Sequence, residues 1–120
     1  MNQSTIEEKN WIKDEELPNV EEWIKLAVGE TIEGKLLKKH LDNKYMKMKY
    51  IFEKAVVNRN DGTAEIYETA GINGTSNMDF KMEKKHEGDF LKLERIEDKD
   101  LDKPNPLQQY ITYHLEDGGD

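Results

Sequence analysis

Lysine and tyrosine side chains at two-residue spacing are the pattern in this sequence that could bind a ligand. Tyr45, Lys47 and Lys49 alternate along one stretch, and Lys35 and Lys39 lie four residues apart in the stretch before it. Alternate residues of an extended strand share a face, so these side chains can line one surface. Ammonium groups contact phosphates, and aromatic rings beside them stack on bases of any type. The pattern therefore predicts a surface for single-stranded nucleic acid.

The charge of the chain is distributed in a way that permits such a surface. The 120 residues carry a net charge of -8, yet residues 31–60 contain eight basic and three acidic side chains. A basic patch on an acidic protein confines phosphate binding to one face. Alternatively, the lysines are ordinary surface residues, because β-sheets of soluble proteins commonly carry lysine on exposed positions, where it protects strand edges from aggregation. Both interpretations of the lysines stay open at the level of sequence.

The sequence gives little indication of a catalytic or metal-binding site. The chain contains no cysteine, which excludes a disulfide framework, a thiolate metal site and a cysteine nucleophile. His40, His86 and His114 are scattered, so no metal site is predicted. The acidic run 98–102 begins like a calcium loop, but Lys103 stands where that loop needs glycine. We therefore expect a protein that is not an enzyme and that uses no cofactor or metal.

Five strands and one short helix must position the lysines. Hydrophobic alternation with period two, interrupted by turn residues such as Asp61-Gly62, marks the strands. Thr75 or Ser76 can cap the helix, along which Met78 and Met82 lie one turn apart. The predicted strands are 31–40, 45–54, 63–70, 89–96 and 108–115, and the predicted helix is about 76–86.

Alternation also predicts which side chains face the core. On the second strand, the inward set is Met46, Met48, Tyr50 and Phe52, and the outward set includes Tyr45, Lys47, Lys49 and Ile51. On the third strand, Ile66 is expected inward and Tyr67 outward. On the last strand, the expected inward set is Ile111, Tyr113 and Leu115, and the expected outward set is Tyr110, Thr112 and His114.

The predicted fold is all-β. Three meandering strands, a short helix and two further strands follow the order of a five-stranded OB-fold-like barrel, with the helix between its third and fourth strands. A β-meander with a packed helix fits the same order. We divide the chain into a polar N-terminal arm (1–22), the domain (23–116) and a short acidic tail (117–120). No secretory signal or apolar membrane span is found, so a cytoplasmic location is expected.

Three segments carry a resemblance to a known family. They are residues 29–55 with the lysine-studded second strand, residues 82–93 with Gly88-Asp89 leading into an apolar strand, and Gln109-Tyr110-Ile111-Thr112-Tyr113 near the end. Over about 29–115 the chain resembles small bacteriophage OB-fold proteins of the single-stranded DNA-binding type. The resemblance implies an accessory of DNA replication or recombination that coats single strands in the host cytoplasm. In such proteins, acidic ends recruit replication proteins.

The predicted function is sequence-nonspecific binding of single-stranded DNA. The predicted site consists of Lys35, Lys39, Lys47 and Lys49 for phosphates, Tyr45 and Tyr67 for stacking, and Arg59 assisting from the loop between strands two and three. The alternative is an acidic protein-interaction module, such as a phage-encoded binder or inhibitor of a host protein that imitates the charge of nucleic acid. Residues 1–30 and 89–120, each with a net charge of -5, supply the acidic surface that this alternative needs.

Overall fold

A computed structural model describes residues 18–42, 47–99 and 107–115 of the chain. Within these ranges, the secondary structure is β1 (Glu22–Ile24), β2 (Thr31–Asp42), β3 (Lys47–Asn58), β4 (Ala64–Asn73), α1 (Ser76–Met82), β5 (Phe90–Lys99) and β6 (Leu107–His114). The predicted all-β class with one short helix is confirmed. Residues 1–17 of the predicted arm, Tyr45 and the predicted tail 117–120 lie outside the described residues.

The strands form a single mixed sheet in the order β1-β4-β3-β2-β5-β6. β1 is parallel to β4, with Glu22 opposite Ala70 and Ile24 opposite Ile72, and the other pairs are antiparallel. The sheet has six strands where five were predicted, because β1, at the junction of the predicted arm and the predicted domain, pairs with β4. Among the described strands, no pairing joins β6 back to β1 or β4, so the sheet is not closed into a barrel.

The core lies on one face of the sheet, which we call the core face, and α1 packs against that face. Thr75 caps the helix, because its Oγ1 accepts a hydrogen bond of 3.3 Å from the Met78 N–H. Met78 and Met82 lie one turn apart, as predicted, and both are fully buried. Burial of each large apolar side chain stabilises the fold by about 1.5–3 kcal/mol. The core side chains include Ile32, Leu36, Tyr50, Phe52, Val57, Leu93 and Tyr110. Across the described ranges, α1 is far too short to span a bilayer, and no membrane-crossing helix is found.

Two irregularities of β2 and β3 change which residues face the core. Lys54 has a φ of +54°, in the left-handed region, at the point where β3 carries one residue more than β2. Gly34 lies opposite this bulge, and a Cβ on it would stand 2.9 Å from the Glu53 carbonyl oxygen. As a result, Phe52 and Ala55 both face the core although they are three residues apart.

The second irregularity lies in β2 between Leu36 and Lys38. Here β2 carries the additional residue, Leu37, so that Leu36 pairs with Phe52 but Lys39 pairs with Tyr50. Directly paired residues of neighbouring strands project to the same face. Lys39 is therefore turned toward the core face, on which Tyr50 is fully buried.

Candidate nucleic-acid interface

The opposite surface of the sheet, which we call the outer face, carries most of the predicted lysines. Strand register arranges its side chains in rows that cross the sheet. The rows are Ile66, Val56, Glu33, Lys92 and Tyr113, then Thr69, Glu53, Lys35 and Phe90, then Gly71, Ile51 and Lys38, and finally Asn73, Lys49 and His40. Cationic, aromatic and carboxylate side chains thus alternate over five neighbouring strands.

Lys35, Lys47 and Lys49 lie on the outer face, as predicted. Lys35 pairs with Glu53 of β3 and with Phe90 of β5, and it is half-buried. Lys47 is exposed. The Lys49 Nζ lies 3.5 Å from Asp42 Oδ2 and 5.4 Å from the centroid of the Trp23 ring. The structure therefore groups three of the predicted lysines on one surface and adds an aromatic ring to them.

Trp23, the first residue of the predicted domain, lies on the outer face and is not among the predicted site residues. Its ring covers Gly71 so closely that a Cβ on Gly71 would lie 2.5 Å from Trp23 Cζ3. Ile51, which pairs with Gly71, is fully buried beside it. The indole remains 40% exposed, so part of it is available to a ligand. No sequence signal marks this contact, because it depends on parallel pairing of a three-residue strand.

A second aromatic group lies on β5 and β6. Phe90 is 52% exposed and Tyr113 is 39% exposed, and both line a groove of about 370 Å³. The Lys92 Nζ lies 5.0 Å from the centroid of the Tyr113 ring. The Tyr113 hydroxyl donates a hydrogen bond of 2.6 Å to Glu94 Oε1, which raises the pKa of that hydroxyl. The groove thus combines two exposed rings with one cation, whereas the Trp23 region combines one ring with Lys49.

The predicted orientation of the last strand is wrong. Tyr110 faces the core and is 4% exposed, whereas Ile111, Tyr113 and Leu115 lie on the outer face with large exposed fractions. The Tyr110 N–H donates a hydrogen bond of 2.7 Å to Asn77 Oδ1 at the start of α1. Alternation favours the apolar set Ile111, Tyr113 and Leu115 as the inward face, because Thr112 and His114 on the other side are polar, so it does not set the observed orientation. The contact with the helix does.

Lys39 does not join the other lysines, which corrects the predicted site. Its Nζ donates hydrogen bonds to the carbonyl oxygens of Met82 (3.1 Å), Glu83 (3.4 Å) and Lys85 (2.9 Å). These carbonyls belong to the end and the following turn of α1, where a cation is favoured by the helix dipole. The additional residue Leu37 is the physical reason, because it turns Lys39 to the core side.

Arg59 and Tyr67 also lie apart from the lysines. Arg59 donates to both oxygens of Glu65 at 3.1 Å each and to Glu30 Oε1 at 2.9 Å, so its guanidinium is already paired. Tyr67 pairs with Ala55, packs against the core and donates its hydroxyl to Glu65 Oε1 at 2.9 Å. The predicted outward orientation of Tyr67 is wrong, because alternation in β3 and β4 changes phase at the Lys54 bulge.

Glu30 is the most buried carboxylate among the described residues, at 8% exposed. The backbone N–H of Ala27 above all, together with that of Asn60 and the Arg59 guanidinium, holds its pKa below the usual range. Arg59 hydrogen bonding holds the pKa of Glu65 low as well. These contacts join the segment after β1 to the β3–β4 turn.

We expect Glu30→Gln to lower the free energy of unfolding by about 2 kcal/mol at neutral pH, because the partly buried Arg59 loses one of its two carboxylate partners. A carboxyl with a depressed folded pKa stabilises the protein above its unfolded pKa, about 4.3, and that stabilisation is lost as pH falls through the folded value. Urea unfolding at neutral and acidic pH should show the difference shrinking in acid. The control is Glu83→Gln at an exposed position. An equal loss at both pH values would contradict the expected role of the carboxylate.

Carboxylates on the outer face partly neutralise its lysines. Asp42 lies beside Lys49, and the Lys54 Nζ lies 3.4 Å from Glu68 Oε1, with both side chains at least 70% exposed. The exposed Lys54–Glu68 pair contributes about 0–1 kcal/mol, so a phosphate can replace Glu68 beside Lys54 at small cost. The Lys49 and Asp42 side chains are only 30% and 21% exposed, so a phosphate at Lys49 must displace Asp42 from a more enclosed pair.

In the part of the chain that the structure describes, no three His, Asp or Glu side chains are grouped to hold a metal ion. Comparisons of the chain with protein-family models, with curated proteins and with solved structures found no match. The case for a function is therefore built on the geometry of the outer face.

Proposed function

We propose that the protein binds single-stranded DNA without sequence preference on the outer face and acts as an accessory of replication or recombination. Lys35, Lys47, Lys49 and Lys92 contact phosphates. Trp23, Phe90 and Tyr113 supply rings on which bases stack. Stacking on a ring needs no recognition of base edges, which accounts for the absence of sequence preference.

The observation that carries the proposal is the presence of two cation–aromatic pairs on one face. Lys49 lies over Trp23 beside β4, and Lys92 lies over Tyr113 on β6. Four strand spacings of about 4.8 Å separate β4 from β6, or about 19 Å across the strands, and the two pairs also lie in different rows along the strands. Single-strand sites occupy about 4–16 nucleotides on one OB fold, so a strand can cross the sheet from one pair to the other.

We propose further that the sheet is an OB-fold variant. Support comes from the antiparallel meander β2-β3-β4, from β2 pairing with both β3 and β5, and from α1 between β4 and β5. In this variant β1 pairs parallel with β4 and forms one edge of the sheet. OB folds are partly open barrels, and many bind oligonucleotides on their β-strands and the adjoining loops.

One observation favours the acidic protein-interaction alternative. Ile66 is 76% exposed on the outer face, beside Val56 and in the same row as Glu33. An exposed branched aliphatic side chain contributes little to phosphate contact but packs well in a protein interface. Nucleic-acid titration separates this alternative from the proposed function.

The test is a fluorescence-anisotropy titration of a labelled dT oligonucleotide at several salt concentrations. Four lysine–phosphate contacts are expected to give a slope of log K against log salt of about -3. Failure to bind at tens of micromolar protein, at an ionic strength of about 20 mM where such contacts are strongest, would overturn the proposal and favour the protein-interaction alternative.

A further inference from the structure

One edge of the sheet is open along β6. The sheet order ends at β6, so β5 is its only strand partner among the described residues. The Tyr110 N–H donates to Asn77, so it points away from β5. Backbone groups of a strand alternate in direction, and the register of β5 with residues 109–114 is unbroken. The N–H and C=O groups of Thr112 and His114 therefore also point away from β5.

This open edge carries no charge. Residues 107–115 contain no Lys, Arg, Asp or Glu, whereas 37% of the whole chain is charged. Sheet edges are ordinarily protected from pairing by charged side chains. The edge of β4 beyond β1 follows that rule, since it carries Glu65 and Glu68, and the Glu68 N–H is bonded by Glu21 Oε1 at 2.9 Å. The contrast indicates that the β6 edge is suited to pairing.

We propose that two copies of the chain pair through antiparallel β6 edges, with a two-fold axis beside Tyr113. In this pairing, Thr112 and His114 of one copy exchange backbone hydrogen bonds with His114 and Thr112 of the other, and the two Tyr113 residues face each other. The proposal stands independently of the proposed function.

A second copy fits this edge because the pairing is self-complementary. With Tyr113 at the axis, Ile111 of each copy lies opposite Leu115 of the other. Ile111 and Tyr113 of β6 and Leu115 just after it lie on the outer face, exposed at 37%, 39% and 65%. Antiparallel pairing of identical strands brings identical side-chain types together, so any charged residue near the axis would meet a like charge. The strand has none.

The free length of the edge matches this pairing. On one side, the Tyr110 N–H is already bonded by Asn77. On the other side, the sequence becomes acidic at Glu116 and Asp117. The intervening residues 111–115 are the ones that the symmetric pairing uses. In the dimer, the two outer faces adjoin at Tyr113, so the row that begins at Ile66 continues into the second copy.

Sedimentation velocity of the full chain without DNA tests the proposal. Five paired residues make a small interface, below the size of stable complexes, so we expect concentration-dependent dimerisation between about 1 and 200 µM. Monomer at every concentration in this range would overturn the proposal.

Two variants test whether β6 forms the contact. His114→Pro removes an N–H that points away from β5, so the monomer sheet is kept while pairing of copies is lost. Tyr113→Lys places like charges at the axis. Both are expected to sediment as monomers with unchanged circular dichroism, whereas Ile66→Lys, the matched control at the opposite end of the row, dimerises like the unchanged chain. Dimerisation of both β6 variants would contradict the proposed interface. Because no DNA is present, this result does not depend on strand binding.

Discussion

Simultaneous replacement of Lys47 and Lys49 by glutamate is expected to lower the affinity for a dT oligonucleotide by about 100-fold or more, close to abolition. Both lysines lie on the outer face of β3, two residues apart. The double variant removes two phosphate contacts and places two carboxylates where the strand passes. Anisotropy titration at low salt measures the loss, and the salt slope should fall by about 1.4.

Lys81→Glu with Lys84→Glu is the matched control. It changes the net charge by the same amount, but both positions are exposed on or just after α1, which packs against the core face. If long-range charge alone controlled binding, the two double variants would lose affinity equally. That result, or unaltered binding by the Lys47/Lys49 variant, would contradict the assigned interface.

The strands could be predicted from sequence where alternation is regular. Met48, Tyr50 and Phe52 face the core as alternation requires, and Lys47 and Lys49 face outward. Turn residues also marked the β3–β4 turn correctly. These features can be predicted because successive side chains of a single strand point to opposite faces of the sheet.

Alternation predicts the wrong face of the sheet for side chains whose direction depends on non-local contacts. The bulge at Lys54 and the additional residue Leu37 shift alternation by one position, and no hydrophobic pattern reveals them beforehand. In the sequence, only Gly34 hints at the first bulge, because a glycine there lets the β3 backbone approach β2 closely. Regular alternation therefore places Tyr67 and Lys39 on the wrong face.

The basic side chains of residues 31–60 have different roles, which amino-acid composition alone does not reveal. Lys39 binds helix carbonyls and Arg59 binds two carboxylates, whereas Lys35 and Lys47 remain on the outer face. The difference depends on what lies opposite each side chain after folding. The aromatic residues show the same dependence, because the proposed stacking rings come from β1, β5 and β6 and not from the basic strands.

Trp23→Ala is expected to weaken binding of the dT oligonucleotide by about 1–3 kcal/mol, or roughly 5- to 150-fold, if one base stacks on the indole. The salt slope should stay unchanged, because no phosphate contact is removed. This combination of lower affinity and constant slope distinguishes a stacking residue from Lys47 and Lys49. Trp23→Phe keeps a ring against Gly71 and should retain most of the affinity.

Loss of packing is separated from loss of stacking by two measurements. Trp23 covers Gly71, so urea unfolding of each Trp23 variant shows how far the sheet itself is weakened. Phe80→Ala removes a ring that is 72% exposed on α1, outside the outer face, and should leave binding intact. Equal loss from Phe80→Ala and Trp23→Ala would indicate a nonspecific effect of aromatic surface. Unchanged binding by a folded Trp23→Ala protein would show that the DNA strand does not stack there, because no ring remains at that position.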